Sequence, residues 1–228
     1  MTREEFQQQL PSLVAAYRPA LDVVDLIGRI NLLIVVGPSG VGKTTVINQL
    51  PIKHVLSDNS RPPRAGEREG VDFYFRNDYE QVVKEIRGGR FVQVVVDSGG
   101  DLKATKATSY PDEGDVVMAV LADAVPSFRN FGFARTTTAF ITPPSYEEWM
   151  RRMQRHELKG EELSRRLAEA KRSFSFALND EPTHFILSEN IPAAHAQLKN
   201  LIDGKIDSAR ELSARINAEQ ILLKLNQA

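Results

Sequence analysis

The sequence predicts an α/β domain, a doubly wound and mainly parallel sheet of the P-loop NTPase class with extra helices at both ends. Three observations support this. An apolar, β-branched run, Ile30 to Val36, leads directly into Gly37-Pro38-Ser39-Gly40-Val41-Gly42-Lys43-Thr44. Thr45 to Leu50 then reads as a helix that starts inside the glycine loop, so strand, G-x-x-x-x-G-K-[ST] and helix follow in the order of a phosphate cradle. Strand-like and helix-like segments alternate through the remainder of the chain.

Residues 3 to 29 place Phe6, Leu10, Leu13, Val14 and Tyr17 at helical spacing, with breaks expected at Pro11 and Pro19, so two short helices should precede the first strand. Their apolar faces either pack on the core or bind a partner. Leu56 to Gly70 is punctuated by proline and glycine and reads as loop. Val71 to Phe75 is the next expected strand. Asn77, with Glu80 three residues on, should cap a helix that Gly88-Gly89 closes. Phe91 to Val96, Val116 to Leu121 and Thr138 to Ile141 read as buried strands, the first ended by Ser98-Gly99-Gly100. Ser145 and Glu148 form a capping-box pattern ahead of a helix over Tyr146 to Arg155. A charged amphipathic helix over Glu161 to Leu178, a short strand over His184 to Leu187 and a terminal helix follow. In the last, Ile206, Ala209, Leu212, Ile216, Leu222 and Leu225 fall roughly on one side.

At 228 residues the chain can bury one α/β core with appended helices. Its 29 Lys and Arg against 30 Asp and Glu leave a formal net charge of −1, which gives no general attraction for nucleic acid or an anionic membrane. With no cysteine, a disulfide framework and thiolate metal sites are excluded. The polar start Met1-Thr2-Arg3-Glu4-Glu5-Phe6 does not read as a secretory signal, and no apolar run reaches membrane-spanning length. A soluble, cytoplasmic protein is the expectation.

Glycines let successive N–H groups curl around a phosphate, and the following helix terminus adds partial positive charge. Gly37, Ser39, Gly40, Val41, Gly42, Lys43, Thr44 and Thr45 are therefore the expected ATP-binding set, with Lys43 between the β- and γ-phosphates and the Thr44 hydroxyl on Mg²⁺. The plain alternative is a glycine turn that binds nothing. Phosphoryl transfer between polyanions is mainly a problem of charge, so arginines elsewhere are informative. Arg61 and Arg64 sit on a proline-stiffened loop suited to a bidentate phosphate clamp. Arg151, Arg152 and Arg155 close one helix and Arg165 and Arg166 lie early in the next, which suits a mobile helical lid. The same residues equally suit Glu/Arg pairing at i, i+4 on solvated helix faces. His54, His156, His184 and His195 are scattered and indicate no metal cluster.

The glycine loop Gly-Pro-Ser-Gly-Val-Gly-Lys-Thr-Thr, then Arg61-Pro-Pro-Arg-Ala-Gly-Glu with Gly70-Val71-Asp72-Phe73 behind it, then Ile141-Thr-Pro-Pro-Ser145 ahead of the arginine-rich helices, resemble guanylate kinase from about residue 31 to about residue 203. The resemblance implies ATP on Lys43 and Thr44, an acceptor phosphate on Arg61 and Arg64, and further phosphate contacts from Arg155 and Arg166. Ser57 takes the place of a serine that contacts guanine. The acceptor end departs from the family. Phe73 replaces a phosphate-binding tyrosine, and Gln93 replaces a guanine-reading glutamate, giving one acceptor oxygen and an NH₂ where a carboxylate has two acceptors. Leu102-Lys103-Ala104-Thr105 replaces Tyr-Tyr-Gly-Thr/Ser, leaving Thr105. Ala119-Val120-Leu121-Ala122 replaces an acidic Leu-Asp-x-Asp, with Asp123 the nearest acid and a candidate for holding Mg²⁺ or for capping a turn.

The resulting expectation is an ATP- and Mg²⁺-dependent phosphotransferase whose acceptor already carries a phosphate: GMP, dGMP, another nucleoside monophosphate or a non-nucleotide phosphate. Lys103 would favour an extra anionic group on it. The competing readings are a P-loop ATP-binding module and an NTPase switch whose terminal helices bind a partner. Three segments are expected: a helical extension over 1–29, the P-loop domain over 30–203 and a C-terminal helix over 204–228.

Overall fold

The computed structural model describes residues 1–64, 66–97, 99–154 and 160–227. In chain order the elements are α1 (Arg3–Ala16), α2 (Leu21–Ile27), β1 (Ile30–Val36), α3 (Lys43–Ile47), β2 (Lys53–His54), β3 (Asp58–Asn59), β4 (Tyr74–Phe75), α4 (Tyr79–Arg87), β5 (Phe91–Val96), β6 (Leu102–Lys106), β7 (Gly114–Ala119), α5 (Val125–Arg129), β8 (Arg135–Thr142), α6 (Tyr146–Gln154), α7 (Gly160–Asn179), β9 (Thr183–Leu187), α8 (Ile191–Ile202) and α9 (Ser208–Gln227). They form two compact units. One comprises Met1–Asn31, Lys53–Val116 and Asn130–Arg135, the other Leu32–Ile52, Val117–Arg129 and Thr136–Ala228.

In the second unit β7, β1, β8 and β9 lie side by side in that order, β8 and β9 running parallel with Thr138 opposite Thr183. Strand residues alternate between two buried faces. Leu33, Val35, Val117, Ala139, Ile141 and Ile186 join Val46 and Ile47 of α3 and Ala194 and Leu198 of α8. Phe140, one residue out of phase, instead meets Phe174 of α7 with ring centroids 5.0 Å apart. Burial on both faces is why these strands read as unbroken apolar runs, and it makes the sheet doubly wound.

In the first unit the strand order is β4-β3-β6-β5, with β3 parallel to β4 and antiparallel to β6, and β5 antiparallel to β6. Phe6 and Leu10 of α1 and Val82, Val83 and Ile86 of α4 cover one face of it, where Val94, Leu102 and Ala104 point.

Several local expectations change. Helix α1 runs through Pro11, because Phe6 and Leu10 are fully buried and this packing outweighs the roughly 3 kcal/mol cost of an interior proline. Only Tyr74 and Phe75 pair as a strand, since Gly70, Val71 and Asp72 spend their N–H groups on local turns. Asp78, rather than Asn77, caps α4 and accepts from Gln81 N–H at 3.0 Å. Asp58–Asn59, within the expected loop, and Leu102–Lys106, which carries no local strand signal, become β3 and β6 by pairing with each other. Ser145 accepts from the Glu148 N–H at 3.1 Å, but the Glu148 carboxylate binds Arg151 and Arg152 instead of closing the box. Helix α8 adds to the expected elements, its first turn capped by Asn190, which accepts from the Ala193 N–H. On α9 the buried side is Ala214, Ala218, Ile221 and Leu225, while Leu212 and Ile216 are exposed, because α7 and β9 select the small-residue face.

Candidate active site

The glycine loop joins β1 to α3 within a tight frame. Gly37 takes φ +149°, and a Cβ there would stand 2.5 Å from the Ile141 carbonyl oxygen. Gly42, at φ +97°, occupies the cap position of α3 without any capping side chain, which leaves the first-turn N–H groups to a ligand. Two carbonyls of the loop are tied outward. The Trp149 indole N–H donates to Ser39 O at 2.8 Å, and Ser188 Oγ donates to Val41 O at 3.1 Å. Arg152 in turn donates to Ser188 O at 3.1 Å. The backbone is thereby held in a curl of the kind suited to phosphate binding.

Lys43 Nζ donates to Gly37 O at 2.6 Å and Pro38 O at 2.9 Å. Desolvation in the loop pushes its pKa down to about 8; Arg166 adds to the effect and Glu169 opposes it. A cation held by two neutral carbonyls in a poorly hydrated loop is matched to a phosphate that would supply the missing negative charge. Arg166 pairs with Glu162 and also donates to Ser39 Oγ at 3.2 Å. Arg151 and Arg165 pair with Glu148 and Glu162 on their own helix faces, so the i, i+3 and i, i+4 pairing and the reach toward the glycine loop coexist. Arg155 lies outside the described residues.

Thr44 is exposed on the first turn of α3. Among the described residues no cluster of three His, Cys, Asp or Glu forms a metal cage. The donor that the loop offers is the Thr44 hydroxyl, which would hold Mg²⁺ together with phosphate and water oxygens. Asp123 is three-quarters exposed and faces Arg172 at 3.9 Å.

In the first unit the register sorts the acceptor candidates. Gln93 stands opposite Thr105, Val95 opposite Lys103, Lys103 opposite Asn59, and Asn59 opposite Phe75. Directly paired residues share a face, so Gln93, Thr105, Lys103 and Asn59 all project from the side opposite α1 and α4. Arg61 joins them, its guanidinium 5.4 Å from the Phe73 ring centroid and 5.8 Å from that of Phe75. It forms a two-pronged pair with Glu67 at 2.6 and 2.7 Å, which holds the Glu67 carboxyl below its usual range. Phe73, lacking a hydroxyl, thus serves as a platform for the arginine. The Arg64 backbone N–H donates to Glu67, and its side chain is exposed; Ser57 accepts from Tyr74 N–H at 2.9 Å through its carbonyl. Thr105 is fully buried and accepts from Tyr110 at 3.3 Å.

Below this face Arg76 binds Asp58 and Glu85, each at 2.6 Å, and Lys106 binds Glu85 at 2.6 Å, locking β3, β6 and α4 in register. Asn59 is fully buried; its Oδ1 accepts from the Arg61 N–H at 3.2 Å and its Nδ2 has no hydrogen-bond partner among the described residues. The contributions of Trp149, Glu67 and Asn59 were not legible in the sequence. The one signal available for Trp149 is that it is the single tryptophan of the chain.

A sheet buried on both faces, a glycine loop with a desolvated lysine, and a separate strand face bearing arginine and amide groups define a P-loop phosphotransferase of the nucleotide kinase class. A guanylate kinase family model matches residues 29–205, and the chain belongs to the guanylate kinase family. The guanylate kinase of a Synechococcus species is 29% identical over 183 residues, covering 76% of this chain and 82% of its own length. That of a Nostoc species is 30% identical over 174 residues, covering 72% and 85%. The crystal structure of guanylate kinase from Anaplasma phagocytophilum matches with a TM-score of 0.55 at 20% identity, over 82% of this chain and 92% of that one, a likeness of fold.

Proposed function

We propose that this chain transfers the γ-phosphoryl group of ATP to a nucleoside monophosphate in the cytoplasm, with GMP or dGMP the first acceptors to test and another nucleoside monophosphate next. The observation that carries the reading is the intact glycine loop whose desolvated Lys43 is hydrogen-bonded to carbonyls that a phosphate would replace. Lys43 would bind the β- and γ-phosphates and stabilise charge as the bridging bond breaks. Thr44 would hold Mg²⁺, which when bound neutralises phosphate charge. Arg166 and Arg155 would neutralise the transferring group. Arg61 and Arg64 would bind the acceptor phosphate, Arg61 exchanging Glu67 for it. Ser57, Gln93 and Thr105 would contact the base, with Phe73 supporting Arg61. The Gln93 amide offers one donor and one acceptor, which suits an O=C–N–H base edge and leaves the second guanine donor unread. Discrimination for guanine over other such bases should therefore be weaker than in a carboxylate site.

ADP release measured with ATP and Mg²⁺ against GMP, dGMP, IMP, AMP, CMP, UMP and dTMP tests this, with Lys43→Ala as control. Turnover of at least one acceptor, lost in Lys43→Ala, is expected. Silence across the panel with ATP still bound would overturn the kinase reading in favour of a nucleotide-binding module.

A further inference from the structure

The family match begins at residue 29, so α1 and α2 lie outside it, yet α1 and the segment that follows it are hydrogen-bonded to β5 and to the turn that leads into β6, the strands that carry the acceptor candidates. Arg3 engages Asp101 through a fork, Nε to Oδ1 at 3.2 Å and Nη2 to Oδ2 at 2.7 Å. Gln7 Nε2 donates to the same Oδ1 at 3.3 Å and to the Gly99 carbonyl. Asp101 is only 5% exposed, and its Oδ1 also accepts from Ser60 Oγ at 3.1 Å. Ser60 Oγ accepts from Leu102 N–H at 2.8 Å, and Ser60 N–H donates to Leu102 O at 3.2 Å. Ser60 lies between Asn59 and Arg61 in the chain.

A second tie runs to β5, the edge strand of the same sheet. The Tyr17 hydroxyl accepts from Phe91 N–H at 2.9 Å and also bonds the Phe91 carbonyl, covering backbone groups that an edge strand leaves open. This occurs at the irregularity in register between Phe91 and Gln93. Ala20 N–H donates to Gly89 O at 3.0 Å just before it. Apolar packing of Phe6 and Leu10 alone would not require any of these polar ties.

We propose that the N-terminal helix is a brace for the acceptor end, and that Arg3 is a positioning residue which, through Asp101 and Ser60, sets the turn presenting Asn59 and Arg61. This rests on the reading of that strand face as the acceptor site. A buried carboxylate deprived of its arginine is left uncompensated and recruits water or new partners, so Ser60 loses a fixed anchor. The effect reaches Arg61 through one backbone link, and it leaves the glycine loop untouched.

The test compares full-length wild type with Arg3→Met, which keeps the stem without the charge, and Arg3→Lys, which keeps the charge without the fork. In Arg3→Met the acceptor KM should rise about tenfold while the ATP KM stays within twofold. Arg3→Lys should recover part of the loss. Amide exchange supplies a readout independent of turnover: Leu102 and Arg61 should exchange faster in Arg3→Met, with residues 37–47 unchanged. Gln7→Leu gives a milder loss of the same anchor should Arg3→Met fail to fold. Wild-type acceptor KM together with wild-type exchange at Leu102 and Arg61 would overturn the brace, as would a uniform rise in exchange across the chain. If wild type turns over no acceptor, the kinase reading fails separately and the exchange pattern alone decides the brace.

Discussion

Proton uptake on nucleotide binding is a sharp test of how Lys43 is held. Its pKa is pushed down to about 8 in the free protein from an ordinary 10.5, with desolvation the largest cause. At pH 8.5 about three quarters of the free molecules therefore carry a neutral Lys43, against about a tenth at pH 7. Bound phosphates favour the charged form and return the pKa toward its ordinary value. Binding should thus take up about 0.7 proton at pH 8.5 and about 0.1 at pH 7, and affinity should fall about tenfold between pH 7 and 9. The sign for the free fold is opposite to that of a paired lysine. Between about pH 8 and 10.5 the unfolded chain binds more protons, so the Lys43 contribution to stability rises with pH across that window. Calorimetry of a non-hydrolysable ATP analogue with Mg²⁺, in two buffers of different ionisation heat, measures the uptake. Lys43→Arg keeps the charge but does not titrate in this range, and its uptake should lose the pH-dependent increment. Equal uptake at both pH values, or an unchanged increment in Lys43→Arg, would refute the reasoning.

Three further outcomes follow from particular contacts. Arg61→Ala removes the two-pronged group on the Phe73 platform and should raise the acceptor KM roughly tenfold to a hundredfold with little change in ATP binding; equal loss of both in steady-state kinetics would make the Arg61 loop structural. Trp149→Phe removes the indole N–H from Ser39 O, a bond worth about 1 kcal/mol, and should raise the ATP KM about fivefold in the same kinetics. In wild type, nucleotide binding should shift the emission of Trp149, the one tryptophan of the chain, and a flat titration would show that the Ser39 contact does not respond to ligand.

Much of the nucleotide end was written locally. Gly37 and Gly42 have their identities set by backbone angles, and Lys43 completes the pattern, so a short motif between strand and helix reveals them. The strand Phe91–Val96 was legible to its ends because Gly88-Gly89 and Ser98-Gly99-Gly100 punctuate it. The acceptor face was only half legible. Gln93 and Thr105 could be placed by resemblance, but β6 and β3 exist through pairing between residues more than forty apart, and no local propensity in Asp58-Asn59 or Leu102-Lys103 marks them.

The sequence by itself determined the class of fold, the glycine loop and the residue types offered to phosphate, because period, glycine placement and charge act over a few neighbours. Only the tertiary structure decided that α1 continues through Pro11, that α9 buries Ala214 and Ala218 rather than Leu212 and Ile216, and that Glu67 and Phe73 hold Arg61. It also decided that Arg3 meets Asp101 across ninety-eight residues of chain. These choices rest on which distant surface is available to pack or pair, and that is a property of the assembled fold.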